Sequence, residues 1–207
     1  MSITTYSELL QAVENWLHRD GDADIESRAP EFVRMGELRI YRDLRIRAME
    51  TSLSSAIASG VVAVPSGYID MKFAYLNTSP VAKLQRKDAE WIYHNYPTRS
   101  ADAQPKFFAR EGENFIFGPY PDSSSYTMKG IYYKRLDALS ASNTTNWFTT
   151  NAPDLLLWAA LAEAEPFTMN DQRATMWEAK YEMVKSRIQR EDDQEEFSGS
   201  PLTSTFR

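Results

Sequence analysis

Residues 155–162 read Leu-Leu-Leu-Trp-Ala-Ala-Leu-Ala, apolar on every face of a helix. A helix without a polar stripe has to be surrounded by other protein segments. Its flanks carry helix punctuation. The polar connector over 143–151 ends at Asn151, which can cap a helix. Pro153 falls in the first turn, where its missing N–H costs nothing, and Asp154 complements the positive end of the dipole. Pro166 is expected to stop the pattern. The C-terminal part of the chain therefore supplies a central helix around which other elements pack.

Three further segments have the periodicity to do so. The first helix is expected over 6–19, with Thr5 and Glu8 in a capping-box pattern and Leu9, Leu10, Val13, Trp16 and Leu17 on one stripe. The acidic run over 20–24 ends it. A second helix starts near Pro30, with Phe32, Val33, Ile40, Tyr41 and Leu44 on one side and Arg34, Arg39, Arg42, Arg45 and Arg47 around the rest. Gly36 in its middle either weakens it by about 1 kcal/mol or permits close helix contact. A last helix over 171–194, capped by Asn170, carries Met176, Trp177, Tyr181, Val184 and Ile188. Trp16, Tyr41, Leu156, Trp158 and Trp177 are the expected core. The second helix is Arg-rich and the last Asp/Glu-rich, which suits either the surface of one bundle or neighbouring subunits.

Between these helices the period changes to that of strands. Residues 52–57 and 61–64 read as two short strands joined by a turn at Ala58-Ser59-Gly60. Further strands are expected over 70–76, 83–86, 104–109, 114–117 and 126–135, with a hairpin at Arg110-Glu111-Gly112-Glu113 and a short helix over 88–93. The fold class is therefore α+β. A helical bundle forms from 1–48 and 137–195, an antiparallel β module is inserted over 49–136, and an extended C-terminal arm covers 196–207.

Composition narrows the function. The 207 residues contain no cysteine, which excludes disulfides and Cys-based metal sites. The net charge of −6 argues against a general nucleic-acid binder held by phosphate contacts, though an acidic wall lets DNA slide past. The start of the chain lacks the pattern of a signal peptide and no apolar run reaches transmembrane length, so a cytoplasmic protein, or one in a particle assembled there, is expected. The two histidines, His18 and His94, lack partners at catalytic or metal-ligand spacing. Glu163 and Glu165 read as rim residues at the bundle end rather than a catalytic pair. The acidic run over 191–196 reads as a solvated helix end. No catalytic residue, metal ligand or cofactor is nominated. Tyr120, Asp122, Trp147 and Trp91 lie in or near loops and are candidate interface residues, since aromatic anchors concentrate in interfaces.

Several segments together carry a resemblance. Thr4-Thr5-Tyr6-Ser7-Glu8-Leu9, Val62-Ala63-Val64-Pro65-Ser66-Gly67-Tyr68 and Phe115-Ile116-Phe117-Gly118-Pro119-Tyr120-Pro121 come first. Asn146-Trp147, Ala152-Pro153-Asp154 and Ala162-Glu163-Ala164-Glu165-Pro166-Phe167 follow, then Trp177, Tyr181 and Ser198-Gly199-Ser200-Pro201-Leu202. In this order and spacing the chain resembles the head–tail adaptor proteins of short-tailed phages. The resemblance implies a non-enzymatic virion protein at the head–tail junction, assembled in the host bacterial cytoplasm. It implies a ring of about twelve subunits below the portal protein, carrying the tail or nozzle protein, with genomic DNA passing through the lumen without specific binding and with no membrane partner. It also assigns portal binding to an arm containing Phe197, Ser198, Gly199, Ser200, Pro201, Leu202, Phe206 and Arg207. The composition of this arm suits a segment mobile in the free subunit and ordered on docking. Two other readings stand beside this one: an enzyme acting on polysaccharide or nucleic acid through paired carboxylates, and a monomeric binding domain.

Overall fold

A computed structural model describes residues 3–19, 21–99, 103–121, 126–168 and 171–197. The fold is mixed α+β, with six α-helices and a seven-stranded sheet among the described residues. The chain divides into two compact units, Met1–Ala48 with Leu136–Arg207, and Met49–Arg135.

In the helical unit, α1 spans Tyr6–Leu17, α2 Ala23–Asp43, α4 Trp147–Asn151, α5 Pro153–Thr168 and α6 Asp171–Phe197. The capping box at Thr5 and Glu8 forms: the Glu8 backbone N–H donates to Thr5 Oγ1, and the Thr5 N–H donates to the Glu8 carboxylate. Helix α5 contacts α1, α2, α4 and α6. Leu155, Leu156, Leu157, Ala159, Ala160, Leu161 and Ala164 are all buried, as an all-apolar helix requires. Gly36 serves close contact: a Cβ there would lie 3.0 Å from the Ala160 nitrogen and 3.1 Å from Ala159 Cβ, so α2 and α5 meet where α2 has no side chain.

Four helix boundaries depart from expectation. Helix α2 begins seven residues before Pro30, because Asp22 caps it by accepting the Asp24 N–H at 3.1 Å. The hydrogen bond that Pro30 cannot donate is offset by burial of Ile25, Ala29, Phe32 and Val33 along the same helix. Asn151 is not the cap of the buried helix. It ends α4, and its side chain donates to the Trp147 carbonyl. The capping asparagine is Asn146, which starts α4 in a reciprocal capping box with Thr149. Pro166 lies inside α5 near its end, so the helix runs to Thr168. Helix α6 continues to Phe197, so the backbone of Glu196 and Phe197, expected to begin the arm, is helical. Asn170 and residues 198–207 lie outside the described residues.

The tryptophans pack together, but Trp16 is a rim residue rather than core, with 44% of its surface exposed. Its ring meets Trp158 and Trp177 edge-on, with centroids at 5.2 and 5.6 Å, while Trp158 and Trp177 stack at 5.3 Å. Trp177 and Leu156 are buried. Met176, expected on the apolar stripe of the last helix, is exposed.

In the β unit, β1 spans Glu50–Ala56, β2 Val61–Ala63, β3 Tyr68–Leu76, β4 Ala82–Arg86, β5 Phe107–Glu111, β6 Asn114–Gly118 and β7 Thr127–Lys134, with α3 over Ala89–Asn95. The strand order is β1-β7-β3-β4-β5-β6-β2. The two outermost strands, β1 and β2, are consecutive in the chain and separated by residues 57–60. A flat seven-stranded sheet would hold its edges about 29 Å apart, whereas the five steps from Ala56 to Val61 span at most about 18 Å. The sheet must therefore roll up. Leu53 of β1 and Val62 of β2 accordingly share one core with Met71, Leu76, Phe108, Phe115, Phe117, Met128 and Tyr132. The expected strands at 52–57 and 61–64 do not form a hairpin with each other beyond the bridge between Ala58 and Val61; β1 pairs with β7 and β2 with β6.

The module is not wholly antiparallel: β4 runs parallel to β5. Parallel neighbours need a crossover, and α3 supplies it, with Ile92 buried against Ala109 and Ile116. Much of the module's aromatic content goes inward. Phe108, Phe115, Phe117 and Tyr132 are core, while Phe73 and Tyr93 are the large aromatics left exposed among its described residues.

Candidate interaction surfaces

In the β unit, Tyr120 belongs to a surface cluster that is built rather than loose. Gly60 adopts a positive φ of 71°, and any side chain there would overlap the Tyr120 ring, so the turn and the ring fit against each other. The Arg99 guanidinium lies 4.7 Å from the Tyr120 ring centroid and 5.4 Å from that of Tyr93. It also donates to the Phe117 carbonyl at 2.8 Å, which fixes it at the end of β6. The Tyr93 hydroxyl donates to the Glu111 carboxylate at 3.0 Å. Desolvation, then that carboxylate, pushes the Tyr93 pKa above the usual phenol range. The result is a Tyr–Arg–Tyr ladder with an acidic neighbour, a composition enriched where partners dock. Asp122 lies outside the described residues.

Trp91 plays a different part. Its ring packs edge-on against Phe107 at 4.8 Å and sits under the Lys87 ammonium at 5.2 Å. It is half-buried and holds α3 on β5. Sequence reading nominated Trp91 and Tyr120 but missed Tyr93, Arg99 and Glu111. Their only signal was the aromatic run before Pro97, which says nothing of the strand that brings Glu111 alongside.

In the helical unit, Trp147 is half-buried and lines a cleft of ≈ 270 Å³ with Ile46, Asn151, Ile188, Glu191, Asp192 and Glu195. This brings an interface candidate together with the acidic run at the end of α6. That run is not simply solvated. The Asp192 carboxylate accepts the Arg47 backbone N–H and side-chain Nε, each at 3.2 Å, and Arg47 also pairs with Glu195. Gln189 donates to the Arg45 carbonyl at 3.4 Å. The Arg45 side chain in turn caps α2 by donating to the carbonyls of Tyr41 and Leu44 at 2.8 and 2.6 Å. The last turns of α6 are thus fastened to the end of α2.

The arginine face of α2 resolves in the same way. Arg39 pairs with Glu178 of α6, lies 3.7 Å from Glu163 of α5 and stacks over Tyr181 at 4.3 Å. The Tyr181 hydroxyl donates to Asp43 at 2.8 Å; burial and that carboxylate raise its pKa strongly. Of the two readings of the opposite charges, the one within a single chain accounts for these pairs.

Glu165 is fully buried and not a rim residue. It accepts the Trp177 indole N–H at 2.8 Å and Arg173 Nε at 2.9 Å, a structural lock between α5 and α6. A second buried carboxylate, Glu37, gave no signal in the sequence. Its Oε1 accepts the Leu139 backbone N–H at 3.1 Å, and Arg34 lies 3.3 Å from its Oε2. No group of three or more His, Cys, Asp or Glu residues able to hold a metal ion occurs among the described residues. No described helix is long and apolar enough to cross a membrane.

No curated protein matches the chain significantly. The SU10 adaptor protein family, in contrast, matches residues 4–205, nearly the whole chain. A match of that extent shows that the chain belongs to the SU10 adaptor protein family, phage adaptors of the head–tail type.

Proposed function

We propose that this adaptor assembles into a ring of about twelve subunits that docks beneath the portal protein, extends the DNA channel and carries the tail or nozzle protein. The observation that carries the reading is the family match across residues 4–205, which includes most of the arm as well as both units. In this reading the helical unit is a bundle with the β unit inserted in it, and residues 198–207 are the portal-binding arm. Leu202 and Phe206 are spaced apolar anchors, and Pro201 lowers the entropy lost on docking. Arms on every subunit act together, so weak single contacts add up to stable attachment.

The fastening of α6 to Arg47 supports this reading, because an arm transmits load only from an anchored base. The Tyr93–Arg99–Tyr120 cluster and the loop at Asp122 are proposed to meet a neighbouring subunit or the tail. Genomic DNA passes the ring without specific contacts, in keeping with a net charge of −6.

Truncation tests the arm. Because α6 runs to Phe197, the cut belongs after that residue. The shortened chain should keep the melting temperature of the full chain yet no longer cosediment with portal rings. Cosedimentation at full affinity would remove the arm from the attachment.

A further inference from the structure

The outer face of the β unit carries charge and aromatic surface that its own strands leave uncompensated. Alternation sends Leu53, Met71, Ala74, Leu84, Met128 and Tyr132 into the core, so their neighbours on β1, β3, β4 and β7 face outward. Strand pairing sets those neighbours in rows. One row runs Ser54, Lys129, Tyr75, Lys83, and the next Ser52, Ile131, Phe73. Phe73 is 44% exposed and stacks on Tyr75 with ring centroids at 6.3 Å. Lys83 and Lys129 stand on the two strands that flank Tyr75, about 10 Å apart, so like charges repel across the aromatic pair. The nearby acids are taken: Glu50 accepts Lys72 Nζ at 2.7 Å, and Asp70 accepts Arg86 Nη1 at 2.5 Å. Neither Lys83 nor Lys129 has an ion-pair partner among the described residues. Beside Phe73 a cleft of ≈ 320 Å³ opens where β4 leaves β3 to pair with β5.

The complementary charge belongs to the same chain. Residues 49–135 hold ten Lys and Arg against eight Asp and Glu, a net of +2, which leaves −8 on the rest of a chain whose total is −6. In the helical unit the exposed Asp24, Glu26, Asp154, Glu191 and Asp193 have no ion pair among the described residues. The same unit exposes Met35, Met176 and Met183, apolar side chains that adapt to a partner's shape. The β face does not suit a two-fold contact with itself, since Lys83 and Lys129 would meet their own copies. It suits a head-to-tail contact, in which each copy gives one surface and receives the other. We propose that Phe73, Tyr75, Lys83 and Lys129 bind the acidic helical unit of a second copy of this chain. The two rings bury apolar surface there, and the two lysines gain carboxylate partners. Repeated from copy to copy, a contact between unlike surfaces closes into a ring or runs on as a filament, and the choice of a ring rests on the reading proposed above.

Carbodiimide cross-linking tests this, because it joins a lysine directly to a carboxylate with no spacer. Full-length adaptor, half of it labelled with heavy nitrogen, is treated both on portal rings and free at high concentration. Peptides that join a light copy to a heavy one report contacts between copies. They should link Lys83 or Lys129 to acids within residues 1–48 or 136–207, in excess of links from the exposed Lys106. In F73S these links should be lost while the melting temperature stays that of the parent. Links confined to single copies, links as frequent from Lys106, links undiminished in F73S, or none in either sample overturn the proposal. So does a fluorescent single-stranded oligodeoxynucleotide retained by the free protein and released by K83E/K129E, which assigns the face to nucleic acid. Adaptor that stays off the portal counts against the ring reading alone, and the free sample then decides this one.

Discussion

Glu37 shows how a polar residue becomes essential to a buried connection. The chain re-enters the helical unit at Leu136 and passes over α2 before α4 begins. A buried loop carries backbone groups that need partners, and Glu37 supplies one to the Leu139 N–H. Burial raises the Glu37 pKa above its ordinary 4.5, and the Leu139 and Arg34 bonds only partly oppose this. The native state therefore holds the proton more tightly than the unfolded chain. The stability tied to Glu37 is fully present below pH 4.5 and is lost as pH rises through the raised value. In E37Q, which keeps a carbonyl for Leu139, that loss should vanish. Urea midpoints between pH 4 and 7 should show the parent falling relative to E37Q; a parent that gains instead would mean its ion pair outweighs burial. At Trp177, removing the ring should cost about 3–5 kcal/mol, since it opens a cavity and takes a donor from buried Glu165. An unchanged thermal transition in W177A would contradict that packing.

Helix α5 could be read from residues 155–162 alone, because an all-apolar helix has only one kind of environment. Its first turn at Pro153 was legible too, but the cap at Asn151 was not: Asn151 ends the short α4, which Asn146 starts. Pro30 misled because a proline marks a local preference, and burial of the surrounding helix face overrides it; Pro166 stands so near the end of α5 that the helix runs only two residues past it. The β strands were found by their alternation, but their order was not, since β1 pairs with β7 across more than seventy residues. Pairing at that range leaves no local pattern. The hairpin at Gly112 was readable because its turn is local. Gly36 left two readings in the sequence, and the α2–α5 contact selects close approach. G36L should therefore destabilise by about 1–3 kcal/mol despite its better helix propensity, as overpacking does. Denaturant unfolding checks this, and a gain in stability would show that α2 and α5 can separate without cost.

The molecule as a whole has no concentrated chemistry among its described residues. Its buried carboxylates, Glu37 and Glu165, fasten the helical unit, and Arg39, Arg45 and Arg47 serve capping, ion pairs and aromatic stacking. What distinguishes it is surface: a Tyr–Arg–Tyr cluster on the β unit and a fastened helix end leading to residues 198–207. Tyr120 and Trp147 were nominated from their places in or near loops, whereas Arg99 and Glu111 join the cluster around Tyr93 through strand pairing that no spacing encodes. The family match assigns the adaptor role, and the ring on the portal is the claim that remains to be met by experiment. Cryo-electron microscopy of purified adaptor mixed with portal rings tests it most directly. The account predicts a closed ring of adaptor subunits on one face of the portal, with residues 198–207 of each lying on the portal surface. Portal rings that stay bare at saturating adaptor, or that bind it without forming a ring, would contradict it.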